Sequence, residues 1–228
     1  MIVTKTHSVG QAPATKILIV DDHAVMRQGL AKLLSDEQGL RVCGEAENVS
    51  DALKAIGRLK PDLTIVDISL PGRTGIELIR DVRRDYPQVC VLVLSMHDET
   101  IYAERALRAG ARGYIMKQEG GKVVVEAIRK VLTGQVYLSE RMTAKLCERI
   151  SAGSQAPDSP LEVLSDREME VFQLIGDGLT TRQIAEQLFL SMKTVEVHRD
   201  HIKRKLNLKD GSALVRHAIR WAETEKIG

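Results

Sequence analysis

The chain has 228 residues, of which 43% are hydrophobic, 28% charged and only 3% aromatic, and its formal net charge is +2. This is the composition of a globular protein of one or two domains, with enough apolar residues to form a core without disulfides or structural metals. The low aromatic content argues against a base-stacking surface for single-stranded nucleic acid, and the near-zero charge argues against a polybasic chain.

The cysteines and the apolar runs indicate the cellular compartment. Cys43, Cys90 and Cys147 lie far apart and no CxxC pair is present, so we expect neither a zinc site nor a disulfide framework. No apolar run approaches the roughly 18 residues of a membrane span, and the first residues lack the apolar segment of a signal peptide. The sequence therefore predicts a cytoplasmic protein without a membrane partner, in which residues 1–15 are a poorly ordered leader.

The first part of the chain alternates short apolar runs with helical patterns. Such runs, rich in β-branched residues, are typical of strands that are buried on both faces of a parallel sheet. Five βα units of this kind predict a doubly wound α/β domain, which we place at residues 16–135. The five predicted strands are Ile17–Val20, Arg41–Cys43, Leu63–Val66, Val89–Leu94 and Gly113–Met116.

The second part of the chain contains helix signals only. Residues 151–160 are small, polar and rich in helix breakers, which indicates a linker; we assign 136–161 to a linker region with a helix over Ser139–Ile150. The mixed polarity of that helix suits either docking or a dimer contact. Beyond it, capping-box patterns begin at Ser165 and Thr180, and Ser191 is a natural N-cap. Residues 162–228 are therefore predicted to form an all-α, four-helix domain with a helix-turn-helix.

Polar residues follow four of the five predicted strands. Asp21 and Asp22 follow the first strand, Asp67 the third, Ser95 the fourth and Lys117 the fifth. The carboxyl ends of parallel strands meet at one edge of the sheet, where ligands bind. Converging carboxylates repel each other unless a cation lies between them, and hard oxygen ligands in an open site favour Mg²⁺.

This set of residues is suited to phosphoryl transfer. A carboxylate beside a divalent ion can attack phosphorus and form an aspartyl phosphate. Lys117 would neutralise charge on the phosphoryl oxygens, and Ser95 would donate a hydrogen bond to them.

Four sequence motifs resemble the receiver domain of two-component response regulators, which has a flavodoxin-like fold. They are Val20–His23, Ile65–Gly72, Val93–Ser95 and Ala109–Lys117. The resemblance implies that a sensor histidine kinase phosphorylates Asp67. It also implies that Mg²⁺ is bound directly by Asp22, partly through water by Asp21, by Asp67, and by the backbone carbonyl of Ser69. Ser95 and Tyr114 would be the switch pair, whose hydroxyl moves toward the phosphoryl group while the ring turns inward.

Two features of this region need a separate interpretation. Many receivers have proline after the lysine, whereas Gln118 follows Lys117 here, so the next loop is expected to have a different shape. His23 is interpreted as a local helix cap rather than as a catalytic group.

The C-terminal segments Leu164–Val171, Gly178–Leu188 and Leu190–Arg199 resemble the LuxR-type helix-turn-helix domain. Together with a receiver, this domain is similar to the NarL/FixJ class of transcription factors. The resemblance implies a transcription regulator that is not an enzyme, although the receiver assists its own phosphoryl transfer and dephosphorylation.

Basic residues cluster on the helix after Ser191 and just beyond it, although the whole domain is neutral. After a helix-turn-helix pattern, such a cluster favours a recognition helix in the major groove of double-stranded DNA. Residues that face the bases in the resembled domain correspond to Glu196, Val197 and Asp200; carboxylates can accept from cytosine N4, and valine can contact a thymine methyl. The residues expected to contact phosphates are Lys193, Thr194, His198, Arg199, Lys203 and Lys205.

The resemblance also implies a mode of activation. Phosphorylation would favour a homodimer on pseudo-palindromic half-sites, or release of the C-terminal domain from the receiver. One alternative is a regulator of the same fold that acts without phosphorylation, against which the complete set of acidic residues, Ser95 and Lys117 argues. A haloacid-dehalogenase-type phosphatase would need a second aspartate where Ser69 stands, and a flavin-binding protein would need a phosphate-binding loop after the first strand.

Overall fold

The computed structural model describes residues 14–151 and 160–227 of the chain. The N-terminal half contains a five-stranded sheet in the order β2-β1-β3-β4-β5, in which all neighbouring strands are parallel. The predicted doubly wound α/β fold is therefore confirmed. The strands are β1 (Thr15–Val20), β2 (Leu40–Ala46), β3 (Leu63–Val66), β4 (Cys90–Ser95) and β5 (Gly113–Met116).

Alternate residues of each central strand face opposite layers of helices. Ile17 and Ile19 of β1 pack with the residues of α1 and α5, whereas Leu18 and Val20 pack with α2, α3 and α4. All four side chains are fully buried, which explains why the strand is apolar at consecutive positions. The helices of this half are α1 (Ala24–Ser35), α2 (Val49–Leu59), α3 (Gly75–Asp85), α4 (Glu99–Ala109) and α5 (Gly121–Leu132).

The predicted N-terminal leader is one residue too long. Thr15 already belongs to β1, because its N–H donates to the carbonyl of Gly39 at 2.8 Å and it pairs with Leu40 of β2. Residues 1–13 of the predicted leader, and residues 152–159 of the predicted linker, lie outside the described residues.

The C-terminal half is helical, as predicted. Ser165 and Thr180 each form a capping box, with Glu168 and Gln183 respectively, and Ser191 caps its helix by accepting from the N–H of Thr194. These caps bind backbone N–H groups that a helix start would otherwise leave unpaired. The elements are α6 (Glu140–Ser151), a 3-10 turn (Pro160–Val163), α7 (Asp166–Gly176), α8 (Thr181–Gln187), α9 (Met192–Lys205) and α10 (Gly211–Ile227).

The two halves are in direct contact. The guanidinium of Arg105 in α4 donates to the carbonyls of Leu161 and Leu164 at 3.0 and 2.8 Å. Asp166 at the start of α7 accepts from Arg80 of α3 at 2.8 Å and lies 3.3 Å from Arg105. Helix α7 is therefore held against the helices that flank the carboxyl ends of β3 and β4.

Candidate phosphorylation site and DNA-binding helix

The carboxyl ends of β1, β3 and β5 bring two aspartates and a lysine together. The ammonium nitrogen of Lys117 lies 2.7 Å from Asp21 Oδ2 and 2.7 Å from Asp67 Oδ2. The side chains of all three residues are almost completely buried. These three strand-end residues predicted from the sequence thus form one cluster, in which the Lys117 ammonium lies between the two carboxylates.

Burial and charge act in opposite directions on these groups. Burial raises the pKa of Asp67, and the nearby Asp21 carboxylate adds to this, while Lys117 partly compensates. Burial alone would lower the pKa of Lys117, but the carboxylates of Asp67 and Asp21 outweigh it and raise that pKa. Lys117 is therefore a permanent cation at neutral pH, positioned to neutralise negative charge beside Asp67.

Four residues of this edge offer ligand atoms that fit a small cation. One oxygen or nitrogen from each of Asp21, Asp22, His23 and Asp67 lies within 4.8 Å of the others. Asp22 Oδ1 is buried and accepts no hydrogen bond from the described residues. A buried carboxylate oxygen without a donor is costly unless a cation binds it, so the donor set fits a divalent ion that prefers oxygen ligands.

The interpretation of His23 as a capping side chain is wrong. His23 occupies the N-cap position of α1, but its side chain forms no capping hydrogen bond. Its Nδ1 instead lies 2.8 Å from Asp22 Oδ1, without the orientation of a hydrogen bond, and 3.3 Å from Asp21 Oδ1. The ring nitrogen Nδ1 thus lies beside the two carboxylates rather than beside a backbone N–H of the first helical turn.

The predicted switch residues lie directly beside Asp67. Ser95 is fully buried, and its hydroxyl oxygen accepts from the N–H of His97 at 3.3 Å. The ring of Tyr114 is 1% exposed, and its hydroxyl donates to the carbonyl of His97 at 2.8 Å. In this structure the tyrosine is therefore in the inward position that is expected for a phosphorylated receiver domain.

The loops after Asp67 and after Lys117 border the cluster. Ser69 is close to Asp67, since its N–H lies 3.4 Å from Asp67 Oδ1. The described residues contain no cis peptide bond. The loop after Lys117 begins with a hydrogen bond from the Lys117 N–H to the Ser95 carbonyl at 2.8 Å and leads into α5 at Gly121.

Helix α9 presents the basic residues that the sequence singled out. Val195 and Ile202 anchor one side of the helix in the core, so the opposite side faces outward. Lys193, Glu196 and Val197 are exposed, whereas His198 is half-buried and burial lowers its pKa. This half of the site is a helix with an exposed polar face.

Two of the expected phosphate-binding lysines already have partners. Lys205 binds the buried Glu168 of α7 at 2.6 Å, and Lys203 binds Asp200 at 2.7 Å. Burial raises the pKa of Glu168, but the hydrogen bonds from Lys205 and Ser165 outweigh it and lower that pKa. Lys205 therefore joins α9 to α7.

Sequence reasoning missed three residues that organise the site. Arg27 of α1 is 7% exposed and donates to the carbonyl of Asp21 at 2.6 Å, which holds the acidic edge in place. Arg105 donates to the C-terminal half directly, and His97 stacks on Tyr102, whose hydroxyl donates to Gln173 of that half. A buried arginine of α1 that pairs with Glu45 and Glu47, at the end of β2, has no local sequence signature.

No helix among residues 14–151 and 160–227 is both long and apolar enough to cross a membrane.

Two protein families match separate parts of the chain. Residues 17–129 match the family described as response regulator receiver domain, and residues 162–218 match the bacterial regulatory proteins of the luxR family. The oxygen regulatory protein NreC of Staphylococcus carnosus is 36% identical over 210 residues, covering 90% of this chain and 97% of NreC. NreC of Staphylococcus aureus is 35% identical with the same coverage.

Solved structures show the same two-part arrangement. The response regulator RcsB of Salmonella typhimurium aligns with a TM-score of 0.65 at 25% identity, over 92% of this chain and 98% of RcsB. RcsB bound to promoter DNA in the presence of a phosphate mimic aligns with a TM-score of 0.60 at 26% identity, over 90% and 98%. A LuxR-family response regulator from Aurantimonas covers 60% of this chain, with a TM-score of 0.57 and 30% identity. The similarity thus extends over both halves of the molecule.

Proposed function

Because the chain belongs to the bacterial response regulators that join a receiver domain to a luxR-family DNA-binding domain, we propose that phosphorylation of Asp67 switches its activity as a transcription regulator. The observation that carries this proposal is the position of Asp67, buried between Lys117 and the acidic residues after β1. We assign residues 16–135 to the receiver, 136–161 to the linker and 162–228 to the DNA-binding domain.

The geometry supports phosphoryl transfer from a histidine kinase to Asp67. A carboxylate oxygen of Asp67 attacks the phosphorus of the kinase's phosphohistidine, the P–N bond breaks, and an aspartyl phosphate forms. Lys117 remains 2.7 Å from Asp67 as the cation that balances the added charge, and Ser95 is the hydrogen-bond donor beside it. The same residues assist the later hydrolysis.

Magnesium is the metal that we propose for the acidic edge. When bound, Mg²⁺ supplies positive charge that lowers the cost of bringing a phosphoryl group to a carboxylate. Asp22, with its buried oxygen that lacks a donor, is the proposed direct ligand, together with Asp67 and the carbonyl of Ser69. Asp21, which also binds Lys117, is the proposed water-mediated ligand.

Helix α9 is the proposed recognition helix. A helix that follows a tight turn and exposes its first turns can enter the major groove, and RcsB is a structural neighbour that was solved on promoter DNA. We propose that Glu196, Val197 and Asp200 face the bases. The proposed phosphate contacts are Lys193, Thr194, His198, Arg199, Lys203 and Lys205, of which Lys205 must first leave Glu168.

Activation has two proposed routes. The contact between α7 and the receiver helices supports release of the C-terminal half when the receiver changes shape. Dimers of RcsB on DNA support a homodimer that binds two half-sites about one helical turn apart. Because both routes end at DNA, the cytoplasm is the proposed location of the protein.

Substitution of the proposed phosphoacceptor tests the central proposal. We expect Asp67→Asn to abolish labelling of the full chain by acetyl phosphate with Mg²⁺, because an amide cannot form the acyl phosphate. Asp62→Asn, which changes an aspartate before β3, is the matched control and should retain labelling. Continued labelling of the Asp67→Asn protein would show that another residue is the acceptor.

Loss of one cation on α9 tests the DNA interface. We expect Lys193→Ala to weaken binding to duplex DNA irrespective of sequence and to reduce the slope of log affinity against log salt by about 0.9, as for one lost phosphate contact. Lys54→Ala on α2, also an exposed lysine, is the control and should leave the slope unchanged. An unchanged slope for Lys193→Ala would remove that residue from the interface.

A further inference from the structure

His97 lies where the proposed phosphorylation site meets the C-terminal half of the molecule. Its backbone N–H donates to Ser95 Oγ at 3.3 Å, and its carbonyl accepts from the hydroxyl of Tyr114 at 2.8 Å. The backbone of His97 is thus bonded to both proposed switch residues. Its imidazole ring has no part in the phosphoryl transfer proposed above.

The ring contacts the loop beside the proposed phosphoacceptor. Nε2 lies 2.6 Å from the hydroxyl of Ser69, in the loop that follows Asp67. The imidazole is thus the first member of a series of contacts that leads from this loop to the DNA-binding half.

Tyr102 completes this connection. Its ring lies 4.6 Å from the His97 ring, centre to centre, and its hydroxyl donates to Gln173 Oε1 at 3.0 Å. Tyr102 is fully buried, so its position is fixed by the core. Burial lowers the pKa of His97 to about 4, so the ring is neutral at pH 7 and is held by hydrogen bonds and stacking.

We propose that His97 is a positioning residue that couples the docking of α7 to the geometry of the Ser69 loop, and thereby to phosphorylation of Asp67. Undocking α7 removes Gln173 from Tyr102, on which the His97 ring stacks, and a change in the Ser69 loop shifts the ring against Tyr102. The coupling is reciprocal. If docking of α7 favours one arrangement of the Ser69 loop, that arrangement of the loop must favour docking of α7 by the same free energy. This inference rests on the proposed function of Asp67.

A double-substitution experiment on the full chain tests the coupling. The rate of Asp67 labelling by acetyl phosphate with Mg²⁺ is measured for the wild type, Gln173→Met, His97→Phe and the double variant. Methionine keeps the length of Gln173 without its hydrogen bonds, and phenylalanine keeps the stacking on Tyr102. We expect Gln173→Met to change the rate roughly five-fold in the presence of His97 and to have no effect in the presence of Phe, as a typical coupling of two sites predicts.

Controls separate this inference from the proposed function. Gln187→Met, an exposed residue of α8, should leave the labelling rate unchanged. If His97→Phe does not fold, Ser69→Ala breaks the same connection from its other end and replaces it in the cycle. Absence of labelling in the wild type would overturn the role of Asp67. Normal labelling with independent effects of the two substitutions, or no effect of Gln173→Met, would overturn the coupling alone.

Discussion

One carboxylate in the contact between the two halves is buried, and only one of its two oxygens has a hydrogen-bond partner among the described residues. Glu170 of α7 is 2% exposed and accepts from Arg167 at 2.6 Å, while its Oε1 has no hydrogen-bond partner among the described residues. Burial raises its pKa to about 7, against the attraction of Arg167, and the carboxylates of Asp166 and Asp67 add to this. Glu170 therefore becomes charged in the folded protein only near neutral pH.

The pKa of Glu170 predicts a specific pH dependence of stability. The folded pKa of about 7 exceeds the ordinary value of 4.5, so the folded state holds the proton more tightly than the unfolded state. Stability should then fall as pH rises from about 4.5 to 7, by at most about 3 kcal/mol. We expect Glu170→Gln to remove this fall in urea unfolding of the full chain at pH 5 and pH 7.

A matched control identifies the source of the effect. Glu223→Gln, at an exposed position in α10, should retain the pH dependence of the wild type. An unchanged slope in Glu170→Gln would mean that Glu170 is already charged at pH 5 in the folded protein.

The clustering of the residues that follow the strands could be predicted, whereas the residues of the contact between the halves could not. Asp67 and Lys117 follow apolar strands, and parallel strands bring their carboxyl ends to one edge whatever the details of packing. Arg105 and Tyr102 donate to partners that are 59 and 71 residues away in sequence. Neither the hydrophobic periodicity of a helix nor its capping residues indicate which face of a helical layer a second domain will cover.

At the level of elements, the loop from β3 to α3 is built around a close backbone approach. The N–H of Gly75 donates to the carbonyl of Ile68 at 2.7 Å, and Thr74 caps α3 in a capping box with Glu77. A Cβ atom on Gly75 would lie 2.0 Å from the carbonyl oxygen of Asp67. The start of α3 thus packs directly on the backbone of the proposed phosphoacceptor.

This approach predicts opposite effects for two glycine substitutions. We expect Gly75→Ala to lower the free energy of unfolding by about 3 kcal/mol through overpacking and to slow labelling of Asp67, because the loop must move. Gly29→Ala in α1, where no atom lies within 4 Å of the new methyl group, should raise it by roughly 1 kcal/mol through helix propensity. Urea unfolding measures the stability of the two variants, and acetyl phosphate labelling measures the reactivity of Asp67 in each. Normal labelling of the Gly75→Ala protein would contradict the role of this contact.

Elements were predicted best where local chemistry defines their ends. The capping boxes at Ser165 and Thr180 begin α7 and α8 at the expected residues. Strand β2 was predicted over Arg41–Cys43 but extends over Leu40–Ala46. It is an edge strand with partly exposed residues, so its pairing with β1 rather than its own hydrophobicity determines its length.

At the scale of the whole molecule, ionic contacts hold the two halves together. Asp166 is 8% exposed and receives two arginines, Arg80 and Arg105, from separate helices of the receiver. Since Arg105 also binds the carbonyls of Leu161 and Leu164, the 3-10 turn and the start of α7 dock as one unit. This contact, together with the buried apolar side chains of both halves that form one cluster, opposes separation of the DNA-binding half from the receiver.

Asp166→Asn should favour separation of the halves in the unphosphorylated chain. The substitution removes the charge that both arginines share but keeps a hydrogen-bonding group at the helix start, so we expect the ratio of separated to docked molecules to rise about tenfold, a change of about 1.4 kcal/mol. Hydrogen exchange of the Leu164 amide, which donates to the Leu161 carbonyl in the docked turn, follows this ratio even when separation is rare. Asp85→Asn makes the same chemical change in the exposed pair with Arg84 and should leave that exchange rate unaltered. Equal exchange rates in the Asp166→Asn and wild-type proteins would show that the carbonyl bonds of Arg105, and not the charge of Asp166, hold the halves together.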